Sequence, residues 1–144
     1  MQSKSKIIAV DFDGTCVKHK FPKMGEDVPY CVVVLKELVA AGHQLILFTM
    51  RSDVENPESN DSDIHTQGGQ YLSAAFYWFV ERGIPLYGIN TNPDQHKWTH
   101  SPKPYANIYI DDAALGCPLI DEGTKRPYVN WIAVREALVM HKIL

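Results

Sequence analysis

The chain has 144 residues, 45% of them apolar and 22% charged, the composition of one globular domain (1–144) long enough to bury a core. A formal charge of -3 with no basic stripe argues against a general nucleic-acid binder, because little positive charge is available to neutralise a phosphate backbone, yet it leaves room for a small phosphorylated substrate. Cys16, Cys31 and Cys117 are odd in number and lack Cys-x-x-Cys spacing, which speaks against a disulfide framework or a zinc site and leaves them as reduced core or loop residues.

Lysines precede the first apolar run, but that run is only four residues long before Asp11 interrupts it, too short for a signal peptide or a membrane span. A cytoplasmic protein without membrane contact is expected. The run itself, Ile7-Ile8-Ala9-Val10, reads as a buried strand, and it ends on Asp11-Phe12-Asp13-Gly14-Thr15. Two carboxylates one residue apart at a strand exit repel at low dielectric unless a cation or a shared proton relieves them. The carboxyl ends of strands are also where open α/β sheets place their ligands.

Asp27-Val28-Pro29 has the form of a helix start, and Val32, Leu35, Leu38 and Val39 continue at helical spacing until Gly42. Residues 45–48 form a second apolar strand that ends at Thr49, with Arg51 two residues on. From 51 to 69 the pattern dissolves into Ser, Asp, Asn, Glu, Pro and Gly, a long loop that is either a surface excursion or a lid over 52–69. An aromatic-rich helix over 70–81 follows; Phe76-Tyr77-Trp78-Phe79 points around several faces, so part of it is core and the excess suits contact with a second copy in a homo-oligomer.

A third strand is expected over 85–89 and a fourth over 106–110, joined by a Pro- and His-containing loop that carries Lys97 and Lys103. The fourth ends on Asp111-Asp112, adjacent carboxylates of the kind that ligate metals, one directly and the other through water or by orientation. No motif is assigned in 113–127, and a final helix is expected over 129–142. Strands alternating with helices imply an α/β fold with a central, mainly parallel sheet and helices on both faces, a three-layer Rossmann-like domain. No histidine pair has the i, i+4 spacing of zinc motifs, and oxygen donors suit magnesium.

The string Asp-Phe-Asp-Gly-Thr after an apolar strand resembles the first motif of the haloacid dehalogenase (HAD) superfamily of phosphohydrolases. Leu45 to Arg51 resembles the second, with Thr49 as the phosphate-binding hydroxyl. Lys103-Pro104-Tyr105-Ala106-Asn107-Ile108-Tyr109-Ile110-Asp111-Asp112 resembles the third and fourth. The resemblance implies a magnesium-dependent phosphomonoester hydrolase that works through an aspartyl phosphate. In it Asp11 is nucleophile and metal ligand, and Asp13 is general acid and base, its backbone carbonyl also on Mg2+. Asp111 and Asp112 complete the metal site, and Thr49, Arg51 and Lys103 hold the phosphoryl oxygens, with Lys97 a weaker substitute for Lys103.

The intervals 14–27 and 90–102, where the superfamily inserts cap domains, are too short to hold one, so the resemblance implies an uncapped enzyme whose site suits larger substrates or is closed by a neighbouring subunit. Two other readings use similar residues. A phosphotransferase replaces water with a hydroxyl acceptor; a receiver-like phospho-acceptor module keeps the phosphoryl group. Receivers place an acidic pair on the first strand and then a separate acceptor Asp, Thr and Lys. The order here is Asp-x-Asp, Thr, Lys, acidic pair, and Asp13 has no receiver counterpart.

Overall fold

The computed structural model describes residues 4–54 and 69–144. In chain order the described elements are β1 (Ile7–Val10), α1 (Cys31–Ala40), β2 (Gln44–Leu47), β3 (Asp53–Val54), β4 (Gly69–Gln70), α2 (Tyr71–Glu81), β5 (Gly88–Ile89), β6 (Ile108–Ile110), β7 (Leu119–Ile120), β8 (Tyr128–Val129) and α3 (Trp131–Met140). β1, β2, β5 and β6 make a parallel sheet in the order β5-β2-β1-β6; Ile8 faces Leu45 on one side and Ile108 on the other. The fold is α/β, with this sheet at its centre and, among the described residues, three helices.

Strand alternation sorts the sheet residues. Ile8, Val10, Leu45, Leu47 and Ile110 point into the main core, where they meet Val34, Leu35 and Leu38 of α1, Ala75, Trp78 and Phe79 of α2, and Trp131, Val134 and Leu138 of α3. Each large apolar side chain fully buried there contributes roughly 1.5–3 kcal/mol. The other face carries a small cluster, Ala9, Ile46 and Ala106, with Ile7, Phe48 and Tyr87 against it.

Among the described residues all three helices pack on the face of the main core, which corrects the expectation of helices on both faces. From β1 through α1, β2 and α2 to β5 the chain steps one way across the sheet, and right-handed crossovers keep both helices on one side. The return from β5 to β6 passes the opposite face, and Pro93, Pro102 and Pro104 leave that passage with only a short 3-10 turn, Gln95–Lys97. The reversal of strand order places a switch point beside β1, the position where open α/β sheets bind ligands.

Three local expectations also shift. Asp27 does not cap a helix: α1 starts after Tyr30, which has φ 66°, and Asp27 instead accepts from Trp78 Nε1 at 2.8 Å and Arg82 Nε at 2.9 Å, tying the first loop to α2. The last helix starts two residues later than the apolar pattern suggests, because Asn130 Oδ1 accepts from Ala133 N at 3.1 Å and so fixes its first turn. The described ends of the long loop are paired, Asp53 with Gln70 and Val54 with Gly69; the surface excursion or lid read over 52–69 otherwise falls on 55–68, outside the described residues.

Candidate active site

β1 and β6 are neighbours in register, Val10 beside Ile110, so Asp11 and Asp111 leave the sheet side by side. Asp11 N donates to Ile110 O at 2.9 Å, which fixes their relation through the backbone. The chain after Asp11 then coils on itself: Thr15, Cys16 and Val17 all direct their N–H groups at Phe12 O, at 3.1, 2.8 and 3.2 Å. Gly14 sits in this coil with φ +83°, and a Cβ there would collide with His19 Nε2 and Asp112 Oδ2, so two requirements demand glycine.

The coil brings Thr15 under the acids. Its hydroxyl, fully buried, donates to Asp11 Oδ2 at 3.0 Å and accepts from Asp112 N at 3.2 Å, joining the two strand exits. Asp11, Asp111 and Asp112 each offer an oxygen, all within 4.8 Å of one another, and these three could hold a metal ion. Burial, then the Asp112 carboxyl and then the Asp111 charge push the Asp11 carboxyl up to about 8, against hydrogen bonds from Phe12 and Thr15. Burial, with Asp112 beside it, also raises Asp111. Three crowded carboxyl groups lacking enough positive charge make a cation-binding arrangement, and an all-oxygen donor set suits a hard divalent ion. His19 Nε2 lies 2.7 Å from Asp112 Oδ2 and braces that carboxylate.

Asp13 lies outside that triad. Its two carboxylate oxygens accept from Arg51 Nε at 2.7 Å and from an Arg51 terminal nitrogen at 2.8 Å. Arg51 is 4% exposed and further committed to the carbonyls of Tyr71, at 3.3 Å, and Lys23, at 3.0 Å. Phe12 and Phe21 stack on its guanidinium at 5.0 and 5.2 Å. The residue expected to clamp a substrate phosphate is thus spent on positioning Asp13. Thr49 stands at the β2 exit, held by Asn90 Oδ1 on its N–H at 2.8 Å, and its Oγ1 accepts from Arg51 N at 3.1 Å.

These groups line one cleft of about 410 Å³: Asp11, Asp13, Asp111 and Asp112, His19, Thr49 and Arg51, with Phe21, Met50, Ala113 and Arg126. Lys103 is not in its wall. It is exposed, with its ammonium 5.2 Å from the centre of the Tyr109 ring; Tyr109 pairs with Ala9, on the side of the sheet that Asp11 continues. Lys97 lies apart from the cleft, paired with Asp94 at 3.4 Å. Thr15 belongs to the Asp-Phe-Asp-Gly-Thr string that sequence points to, whereas His19 and Arg126 are site residues that sequence reasoning misses. For His19 there was no signal, but Leu119-Ile120 and Tyr128-Val129 around Asp121-Glu122-Gly123 carry the pattern of a hairpin that delivers Arg126.

Fold and site together define an α/β protein with a metal-competent aspartate triad at the switch point of a parallel sheet. No family model matches the chain. A conserved protein from Bacteroides thetaiotaomicron, of known structure, is 31% identical and superposes with a TM-score of 0.69 over 96% of this chain and 93% of that one. The chain belongs to the same family as that protein. An uncharacterized 20.8 kDa protein from the FGF-VUBI intergenic region of Autographa californica nuclear polyhedrosis virus is 28% identical, over 77% of this chain and 68% of that protein. Among the described residues no helix is long and apolar enough to cross a membrane.

Proposed function

We propose that the chain is a HAD-like, magnesium-dependent phosphomonoester hydrolase that forms an aspartyl phosphate on Asp11. The observation that carries this reading is the convergence of Asp11, Asp111 and Asp112 within 4.8 Å at neighbouring strand ends, with Asp11 pushed up to about 8. A carboxyl in that state is a poor nucleophile near neutral pH; Asp11, Asp111 and Asp112 would hold the divalent cation, which would supply positive charge to free the carboxylate and offset the phosphoryl oxygens.

Asp11 attacks phosphorus in line; the new bond is from its carboxylate oxygen to phosphorus, and the bond that breaks runs to the leaving-group oxygen, which takes up a proton. Water then attacks the same phosphorus, the bond to Asp11 breaks, and inorganic phosphate leaves. Thr15 fixes Asp11 by donating its hydroxyl to Oδ2 at 3.0 Å. Thr49 offers a hydroxyl to the phosphoryl group from the cleft wall. Asp13, whose two oxygens accept from Arg51, takes a proton from solvent when that pair opens, gives it to the leaving-group oxygen in the first step, and as a carboxylate again receives the proton of the attacking water in the second. Lys103 joins by leaving the Tyr109 ring for the phosphoryl oxygens.

The test is turnover of a generic aryl phosphate with and without a chelator. Activity that requires added magnesium and disappears in Asp11→Asn supports the reading; metal-independent turnover, or turnover that survives Asp11→Asn, refutes it.

A further inference from the structure

The cleft holds two arginines in opposite circumstances. Arg51 donates to Asp13 and to two backbone carbonyls. Arg126, in the same wall, is exposed and has no ion pair or hydrogen bond among the described residues. An unmatched guanidinium facing a site for an anion is itself a specificity element, because it presents a planar fork suited to a second carboxylate or phosphate.

Its placement is built, although its side chain is free. β8 begins two residues after Arg126, and Tyr128 and Val129 are 4% and 0% exposed. Val129 N donates to Gly14 O at 2.9 Å and Trp131 Nε1 donates to Thr15 O at 2.7 Å, so the hairpin is fastened to the very coil that positions Asp11. Tyr128 Oη donates to Glu122 at 2.7 Å, closing the hairpin across its turn, and Lys18 pairs with Glu122 at 3.6 Å, tying the turn to the loop after β1. Of the basic residues near the turn, Lys18 and Lys125 act on Glu122, and Arg126 lines the cleft. The same wall is apolar at Phe21, Met50 and Ala113, with Met50 fully exposed, and the cleft's volume of about 410 Å³ suits a small ligand.

We propose that Arg126 binds a second anionic group of the substrate, so that the preferred substrates are small phosphomonoesters carrying a carboxylate or a second phosphate beyond a short carbon linker. This rests on the phosphohydrolase reading: the triad takes the reacting phosphoryl group, and Arg126 takes the other end. Free energy gained at that end orients the phosphoryl group against Asp11.

The experiment uses phosphonates, which bind without turning over. Propylphosphonate, 3-phosphonopropionate and propane-1,3-bisphosphonate are titrated calorimetrically into the full-length protein with magnesium present, in wild type, Arg126→Gln and Arg126→Lys. The expected result is that both two-anion ligands bind wild type about tenfold more tightly than propylphosphonate, that the ratio falls towards one in Arg126→Gln, and that Arg126→Lys keeps part of it. The carboxylate and bisphosphonate arms show which second anion is preferred. A wild-type ratio near one, or a ratio unchanged in Arg126→Gln, overturns the assignment. Wild type that binds propylphosphonate and turns over aryl phosphate yet shows no such ratio overturns Arg126 alone, whereas wild type that neither binds phosphonates nor turns over aryl phosphate overturns the phosphohydrolase reading with it.

Discussion

Asp11 and Asp13 leave the same strand one residue apart, and the protein treats them in opposite ways. Asp11 goes into a half of the cleft where burial, Asp112 and Asp111 all work against its charge. Asp13 goes into a half where a buried guanidinium meets both its oxygens at 2.7 and 2.8 Å. One carboxylate is left in need of a cation, and the other is given one by the chain. The difference teaches that spacing alone does not assign roles; the partners delivered by other elements do, β6 for Asp11 and the β2 exit for Asp13.

The sharpest way to break that contrast is Asp11→Asn, which should lower aryl phosphate turnover on the order of 10⁴-fold, measured as kcat at saturating magnesium. Next comes Arg51→Ala. It strands a partly buried carboxylate, so urea unfolding should show a loss of about 3–5 kcal/mol, with Arg51→Lys losing less because one point charge remains. A variant as stable as wild type would mean that Asp13 finds another partner. Lys103→Ala should lower kcat by roughly 10²-fold, the loss of one donor to the transition state, with little change in unfolding; unchanged kcat would leave the charge of the phosphoryl group to the metal and Thr49.

Smaller effects come from the protons and the metal. The native Asp11 value of about 8 lies above its ordinary 3.8, so between these pH values the native state holds a proton that the unfolded state has released. Without divalent cations, stability therefore falls as pH rises from about 4 towards about 8, and Asp11→Asn flattens that slope. Magnesium at about a hundred times its Kd should raise stability near neutral pH by roughly 2.7 kcal/mol, read as a higher Tm. A metal-free protein whose Tm climbs across the same window would contradict the crowding of the triad.

What could be read from the chain divides along the same line. Asp11, Asp111 and Asp112 were legible because each terminates an apolar strand, and parallel pairing of those strands is enough to bring them together. The core was legible from the helical spacing of Leu35 and Leu38 and from the apolar strands. Asp27 misled because an acid before Val-Pro looks like a cap, while its partners Trp78 and Arg82 lie more than fifty residues away in sequence. Arg51 was noticed for its phosphate-binding fork, but its commitment to Asp13 depends on a fold that closes 38 residues of separation. Helices were expected on both faces because alternation of elements says nothing about the direction in which the chain steps across a sheet. His19 was invisible for a related reason: a lone histidine in a loop acquires meaning only from the Asp112 oxygen 2.7 Å away.

The central claim is that Asp11, and not its neighbour two residues on, bonds to phosphorus. It is tested most directly by quenching the protein with borohydride during aryl phosphate turnover and sequencing the peptides by mass spectrometry, since an acyl phosphate is reduced to the alcohol while a free carboxylate is not. Conversion of Asp11 to homoserine that needs both substrate and magnesium is the predicted result. Homoserine at position 13, or turnover with no reduced aspartate at all, would contradict it.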